Sequence, residues 1–167
     1  AEHDRVFTQS SPIGTQYPHA VGIAHGLAVR EEPGVVVVYG GEGSTSEGDW
    51  HEAMNWAGIH RLPVIFVIEN NRYAISVPNR EEVAGQIADR AHGYGMRGEL
   101  IDGNDPLVVF QTMSKAVERA REGRGPTLIE AQTYRYYAHT SDDDDRLYRS
   151  REEVDEWRRN DPVVTLK

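Results

Sequence analysis

The sequence contains no cysteine, which excludes disulfides and thiolate metal sites and is compatible with a reducing compartment without requiring one. It also lacks any apolar run near the length of a membrane span; its longest candidates are strand-sized. Positive charge is scarce: 18 Lys and Arg face 27 Asp and Glu, a net charge of −9. A nucleic-acid partner would need a basic stripe, so none is expected. The chain opens AEHDRVF, with neither an initiator Met nor a basic-then-apolar leader, so no signal peptide is read. It begins in loop-like sequence and ends at Leu-Lys, and the expectation is a piece of a longer chain. No repeat is visible, and the one low-complexity tract is Asp142–Asp145.

What is present is 167 residues, enough for one domain that buries roughly two-thirds of its unfolded surface. The stretch Gly40–Ser76 organises it. A β-branched run, Val35–Tyr39, reads as a strand buried on both faces and feeds a Gly-Glu-Gly turn. Ser46 with Asp49 resembles a capping box opening a helix to about His60, with Trp50, Ala53, Met54 and Ala57 inward. Val64–Ile68 is a second buried strand and ends at Asn70-Asn71. Upstream, residues 1–15 are polar, and a helix follows from Pro18, with Gly22 and Gly26 suggesting close packing. Downstream, Asn70–Asn79 reads as a loop followed by a helix of about ten residues. Glu99–Ile101 is a short strand, Asp105-Pro106 opens a long helix, and Thr127–Thr133 is another buried strand. Tyr134–Arg149 is a polar loop, and Ser150 to Glu153 caps a last short helix. The alternation predicts an α/β fold with a mostly parallel sheet and helices on both faces.

Adjacent parallel strands would bring the two loops together at their carboxyl ends, where open α/β sheets hold ligands. A glycine-rich turn lets backbone N–H groups such as those of Gly41, Gly43 and Ser44 approach a phosphate, helped by the following helix N-terminus. Glu42 inside the turn would repel bare phosphate, and makes sense if a divalent cation lies between. Mg²⁺ takes oxygen ligands and keeps phosphate oxygens and water. Asn71 offers an amide oxygen, and the next turn exposes carbonyls such as that of Tyr73. Each half alone is as readily a tight turn or a loop. The pairing, each half after a buried strand and with 26 residues between Gly43 and Asn70, favours one metal–diphosphate site.

The pairing resembles the thiamine-diphosphate motif, in which Gly-[Asp/Glu]-Gly is followed about 25–30 residues later by Asn-Asn. SSPIGTQYPHAVG, GEGSTSEGD, ENNRYAIS, DGND and TYRYYAHTSDDDDRLYRSREEV resemble the alpha subunit of the decarboxylating component of two-oxoacid dehydrogenase complexes. That resemblance implies a thiamine-diphosphate-binding fold, truncated here, spanning residues 1–167 as part of a longer subunit. It implies that Glu42, Asn71 and the Tyr73 carbonyl bind Mg²⁺, and that Gly43 and Ser44 contact the diphosphate. It places Ser11 and Ile13 at the aminopyrimidine, and Ser10, Pro12, Thr15 and Gln16 at a structural K⁺. His139 matches the histidine beside the thiazolium that handles substrate or lipoyl group. Arg135 and the aspartates match a loop, 134–149, that orders when cofactor binds. Two departures stand out: Glu69 occupies the place of an arginine phosphate ligand in animal branched-chain relatives, and Thr140 the place of their regulatory phosphoserine.

The implied reaction is oxidative decarboxylation of a small 2-oxo acid, followed by acyl transfer to a lipoyl group on the acyltransferase component. The glutamate that promotes the cofactor's reactive tautomer comes in this family from the beta subunit, so an α2β2 assembly is implied and this stretch alone should be inactive. His-Thr-Ser-Asp-Asp favours branched-chain acids; pyruvate or acetoin is the alternative, and a non-catalytic binding module is the contrasting one. The compartment would be cytoplasmic in a bacterium and the mitochondrial matrix in a eukaryote. His139 taken alone would be a surface histidine, although imidazole both donates and accepts protons near neutrality. His51-Glu52 lacks the second histidine of a zincin, since Asn55 stands there. His19, His25, His60 and His92 read as packing or surface residues. Asp142–Asp145 lack the spacing of a calcium loop and should repel one another until Arg135, Arg146 or Arg149 pairs with them.

Overall fold

The structure, a computed structural model, describes residues 6–7 and 10–166. In chain order they form α1 (Gln16–Val29), β1 (Val36–Gly41), α2 (Gly48–His60), β2 (Val64–Asn70), a hairpin of β3 (Tyr73–Ala74) and β4 (Val77–Pro78), and the single turn α3 (Asn79–Glu82). Then come β5 (Arg97–Asp102), α4 (Pro106–Arg121), β6 (Thr127–Gln132), α5 (Arg151–Arg158) and the short α6 (Pro162–Thr165). The main sheet has four parallel strands in the order β1-β2-β6-β5.

Alternation along β2 explains the layers. Val64, Phe66 and Ile68 enter one core with Tyr17 and Ala24 of α1 and Trp50, Met54 and Ala57 of α2. Ile65 and Val67 face the opposite core with Ile129, Ala116, Met113 and Val117, under α4. A strand covered on both faces needs an unbroken apolar run, which β2 supplies. Each fully buried side chain of the size of Phe66 or Ile68 contributes about 1.5–3 kcal/mol. A third, aromatic cluster lies at the carboxyl end of the sheet: Tyr73, Tyr134 and Val154, bordered by Tyr136, Tyr148 and Trp157. The ring of Trp157 stacks on Tyr134 at 5.2 Å, tying α5 to the segment after β6.

Several local expectations are corrected. Ser46 does not cap α2: it lies in a 3-10 turn, Glu42–Ser46, and its hydroxyl donates to Glu82 at 2.6 Å, while Glu47 takes the N-cap position without a side-chain bond. The ten-residue helix after Asn79 is only α3, followed by a 3-10 segment at Ala88–Tyr94, because Gly85 adopts φ +72 between them. A Cβ added to Gly22 or Gly26 would meet nothing within 4 Å, so these glycines serve no close packing among the described residues. By contrast, Asp105 caps α4 by accepting from the N–H groups of Leu107 and Val108, and Ser150 accepts from Glu153 N–H.

Candidate metal and diphosphate site

The parallel pairing of β1 with β2 sets Gly41 opposite Glu69, so both strands end level and their loops meet. The three glycines at that meeting differ in what surrounds them. A Cβ on Gly40 would fall 1.8 Å from the Tyr17 hydroxyl; a Cβ on Gly43 would lie 2.9 Å from the Ala74 Cβ in the facing hairpin; one on Gly41 would enter open space. The Gly43 glycine is therefore demanded by contact between the two loops, not only by approach to a phosphate.

The 3-10 turn is braced from within and from both sides. Ser44 donates to the Gly41 carbonyl at 2.6 Å and Thr45 to the Glu42 carbonyl at 2.8 Å. Tyr17, fully buried and with its phenol pushed up to about 12 by burial, stays protonated and shares a 2.5 Å bond with the Ser44 hydroxyl. With that hydroxyl engaged twice, the part of Ser44 left for a phosphate is its backbone N–H. Arg90 donates to the Thr45 carbonyl and hydroxyl at 3.3 and 3.2 Å. Tyr17 lies in the SSPIGTQYPHAVG stretch without a role assigned to it from sequence, and Arg90 lies in none of the motifs.

Glu42 is 1 % exposed. Its Oε2 accepts from the Asn71 N–H at 3.1 Å, and its Oε1 is buried with no partner. Burial raises its carboxyl above 4.5; Glu82 adds to that, while its own backbone N–H, the Asn71 N–H and Arg135 oppose it. A buried carboxylate oxygen left unpaired costs stability unless a cation completes it. The Asn pair forms two successive side-chain turns: Asn70 Oδ1 accepts from Arg72 N–H at 3.2 Å and Asn71 Oδ1 from Tyr73 N–H at 3.3 Å. The chain then passes through left-handed Arg72 (φ 76) and Ile75 (φ 57), each at a cost of order 1–3 kcal/mol. Such strain is retained where surrounding contacts enforce it.

Both neutral oxygens expected as ligands are engaged, the Asn71 Oδ1 by the Tyr73 N–H and the Tyr73 carbonyl by Arg135. The Tyr73 carbonyl accepts from Arg135 Nη1 at 2.9 Å, and Nη2 of the same guanidinium donates to the Ile75 carbonyl at 2.6 Å. A carbonyl has a second lone pair, so the oxygen retains one position for a cation. Carboxylate, amide and carbonyl oxygens form a hard donor set that suits Mg²⁺ and leaves positions for phosphate and water. No group of three or more His, Cys, Asp or Glu side chains forms a metal cage among the described residues.

Several of the remaining expected residues have their own local partners. The Thr15 hydroxyl donates to the Pro12 carbonyl at 3.0 Å, and Gln16 Nε2 to the Tyr39 carbonyl at 3.3 Å, which ties the start of α1 to the residue before Gly40. Ser11 and Ile13 are exposed and Ser10 half-buried. His139 is exposed; its backbone N–H donates to Asp143 at 2.8 Å, and its imidazole has no hydrogen bond to the Glu42 centre. Two of the four aspartates find cations: Asp144 pairs with Arg146, and Asp145 with Arg149 and Arg151. Arg135 instead bonds to carbonyls and to Tyr148. Glu153, from α5, receives both the Tyr73 and Tyr134 hydroxyls at 2.9 Å. A cavity of about 610 Å³ lined by Arg72, Asp102, Gln132 and Trp157 lies beyond the ends of β5 and β6, apart from Glu42 and Asn71. No helix among the described residues is long and apolar enough to cross a membrane.

The alpha subunit of 2-oxoisovalerate dehydrogenase from Bacillus subtilis is 54% identical over 165 residues, covering 98% of this chain and 50% of that one. The alpha subunit of 3-methyl-2-oxobutanoate dehydrogenase from Mycobacterium tuberculosis is 51% identical over 155 residues, covering 92% of this chain and 42% of that one. The pyruvate dehydrogenase E1 alpha subunit of Bacillus subtilis is 45% identical over 157 residues, covering 93% and 42%. The chain thus spans half or less of the length of these relatives. Among solved structures, an enzyme from Mycobacterium smegmatis described as thiamin diphosphate-dependent superposes with a TM-score of 0.62 at 28% identity, over 75% of this chain and 23% of that one. A transketolase from Campylobacter jejuni shares the fold, with a TM-score of 0.64 at 24% identity, over 74% and 20%. Residues 1–167 match the family described as Dehydrogenase E1 component, and the chain belongs to that family.

Proposed function

We propose that this chain is the cofactor-holding part of an alpha subunit that oxidatively decarboxylates a branched-chain 2-oxo acid with thiamine diphosphate and Mg²⁺. The observation that carries the reading is the buried Glu42 carboxylate, joined to the Asn71 N–H across the ends of β1 and β2, with one oxygen unpartnered. Glu42, the Asn71 side-chain oxygen and the Tyr73 carbonyl would hold the cation. The Gly43 and Ser44 backbone and the open space at Gly41 would receive the diphosphate. Ser11 and Ile13 would meet the aminopyrimidine, and Ser10, Pro12, Thr15 and Gln16 would form a K⁺ loop. Bound thiamine diphosphate supplies the electron sink that a 2-oxo acid needs to lose carbon dioxide.

This chain's residues supply placement and protons. Arg135 links the Tyr73 carbonyl to Tyr148 and the 134–149 loop, so an ordered metal turn favours an ordered loop. His139 on that loop would give or take a proton at its imidazole as charge develops on the substrate oxygen. The glutamate needed by the aminopyrimidine would come from a beta subunit in an α2β2 assembly, and a lipoyl-bearing acyltransferase would accept the acyl group. Identity of 54% with a branched-chain relative against 45% with a pyruvate one supports the substrate class.

The test is a substrate panel on the full-length chain assembled with its beta subunit and loaded with thiamine diphosphate and Mg²⁺, using an artificial electron acceptor. Turnover of branched-chain 2-oxo acids ahead of pyruvate is expected. Absence of any 2-oxo acid turnover in the loaded assembly would defeat the reading.

A further inference from the structure

Glu130 lies in β6, in the interior of the sheet, 2 % exposed, and the chemistry above makes no use of it. Its two oxygens are taken by neutral donors from different elements: Oε1 accepts from Asn70 Nδ2 at 2.7 Å and Oε2 from the Ala88 N–H at 2.9 Å. A carboxylate can only accept, so it dictates that the NH₂ end of Asn70 faces it. The oxygen end of Asn70 is then left to accept from Arg72 N–H, which it does at 3.2 Å. Arg72 is the first of the two left-handed residues of the turn, and the Thr133 N–H donates to the Asn70 carbonyl at 2.9 Å. Asn70 is thus held at its main-chain carbonyl and at both ends of its amide, immediately before Asn71.

We propose that Glu130 is a positioning residue: through Asn70 it fixes the turn that presents the Asn71 oxygen and N–H to the Glu42 centre. The inference rests on the reading of Glu42 and Asn71 as metal-site residues. Residues that orient metal ligands from behind are worth roughly ten- to a hundred-fold in metal affinity. Glu130 reaches the site from β6, a strand whose own loop, 134–149, bonds the same turn through Arg135 from its other side.

The swap of acid and amide tests this in the full-length protein. In Glu130→Gln the new side chain must turn its NH₂ toward a donor, either Asn70 Nδ2 or the Ala88 N–H. In the double variant Glu130→Gln with Asn70→Asp, the amide at 130 donates to the carboxylate at 70 and accepts from Ala88. The carboxylate still accepts from Arg72 N–H, so every bond is restored at unchanged net charge. Two readouts are compared: amide hydrogen exchange at Arg72 and Tyr73 in metal-free protein, and Mg²⁺ affinity in the presence of thiamine diphosphate. Glu130→Gln is expected to speed exchange in the turn selectively and to weaken Mg²⁺ by roughly tenfold or more, with both returning toward wild type in the double variant. Unchanged exchange in Glu130→Gln, exchange raised evenly along β2 and β6, or a double variant as loose as the single one would overturn the proposal. If wild type itself binds no Mg²⁺, the functional reading falls, and the exchange comparison alone still decides whether Glu130 clamps the turn.

Discussion

Gly40 and Gly41 are neighbours, and the structure gives them opposite roles that alanine substitution separates. In Gly40→Ala the new methyl would stand 1.8 Å from the Tyr17 hydroxyl and 2.8 Å from both Ser44 Oγ and Tyr17 Cζ. Tyr17 is completely buried and held by Ser44 at 2.5 Å, so it cannot retreat without losing that bond. Overpacking costs about 1–3 kcal/mol and the lost hydrogen bond about 1 kcal/mol. The reduced freedom of the unfolded chain returns about 0.4–1 kcal/mol. Neither glycine has a positive φ, so no backbone strain is added, and the net loss is about 1–3 kcal/mol. For a domain of this size that lowers the melting temperature by about 2–12 °C. Gly41→Ala meets nothing within 4 Å and should melt at or slightly above wild type, while its methyl enters the space assigned to the diphosphate and weakens cofactor binding. Thermal melts by circular dichroism and calorimetric titration with Mg²⁺ and thiamine diphosphate read the two effects separately. Adding Tyr17→Phe to Gly40→Ala removes the shortest contact and leaves those to Cζ and to Ser44 Oγ, so part of the stability should return. Equal melting temperatures for the two single variants, or a neutral Gly40→Ala, would refute this account of the turn.

The Glu42 carboxyl, raised above 4.5 chiefly by burial, contributes stability that is full below 4.5 and is lost as pH climbs through its folded value. A cation needs the ionised form, so Mg²⁺ affinity should rise across that window with proton release; titrations in buffers of different ionisation heat that detect no released proton would count against it. Asp145 behaves oppositely: the Arg149 hydrogen bond holds it below 3.8, so its contribution is present above 3.8 and disappears as pH falls through the depressed value. Asp145→Asn breaks a pair whose arginine side chain is 0% exposed and should cost about 3–5 kcal/mol, seen as proteolytic cutting within 134–149 before the sheet melts. Asp105→Ala removes an acceptor for two N–H groups at the start of α4 and should lower stability by about 1 kcal/mol in urea unfolding.

What the sequence displayed well was whatever is written in consecutive residues. The apolar runs at β1, β2 and β6 announced strands covered on both faces, and the Gly-Glu-Gly and Asn-Asn turns announced loops at their ends. The Asp105-Pro106 start of α4 was equally plain. Less visible was anything decided by contacts between distant segments. Ser46 has the chemistry of a helix cap, but the 3-10 turn ahead of it is held by Tyr17 and Arg90, so its hydroxyl turns to Glu82 instead. Residues 79–94 carry helical side chains, yet a left-handed glycine and short-range packing under β5 divide them. Glu130 sits in an apolar run where a lone acid gave no sign of its partners, because Asn70 and Ala88 lie 60 and 42 residues away. The Tyr73 carbonyl was legible as an exposed turn oxygen, and its engagement by Arg135 was not.

The lengths of α2 and β2 carry one more meaning. Thirteen helical residues rise about 20 Å, and seven strand residues span about 23 Å. The chain leaves the Glu42 level, descends the height of the sheet as helix and climbs it again as strand, arriving at Asn71 on the storey from which it departed. The interval between the two motifs is therefore a ruler cut to the sheet. One extra helical turn would overshoot the base by about 5 Å, and the slack would have to be absorbed at Arg61–Pro63, where the ascent begins. Length changes between the two motifs should be tolerated by folding long before they are tolerated by the proposed cation site, which would draw on both ends of the ruler at once.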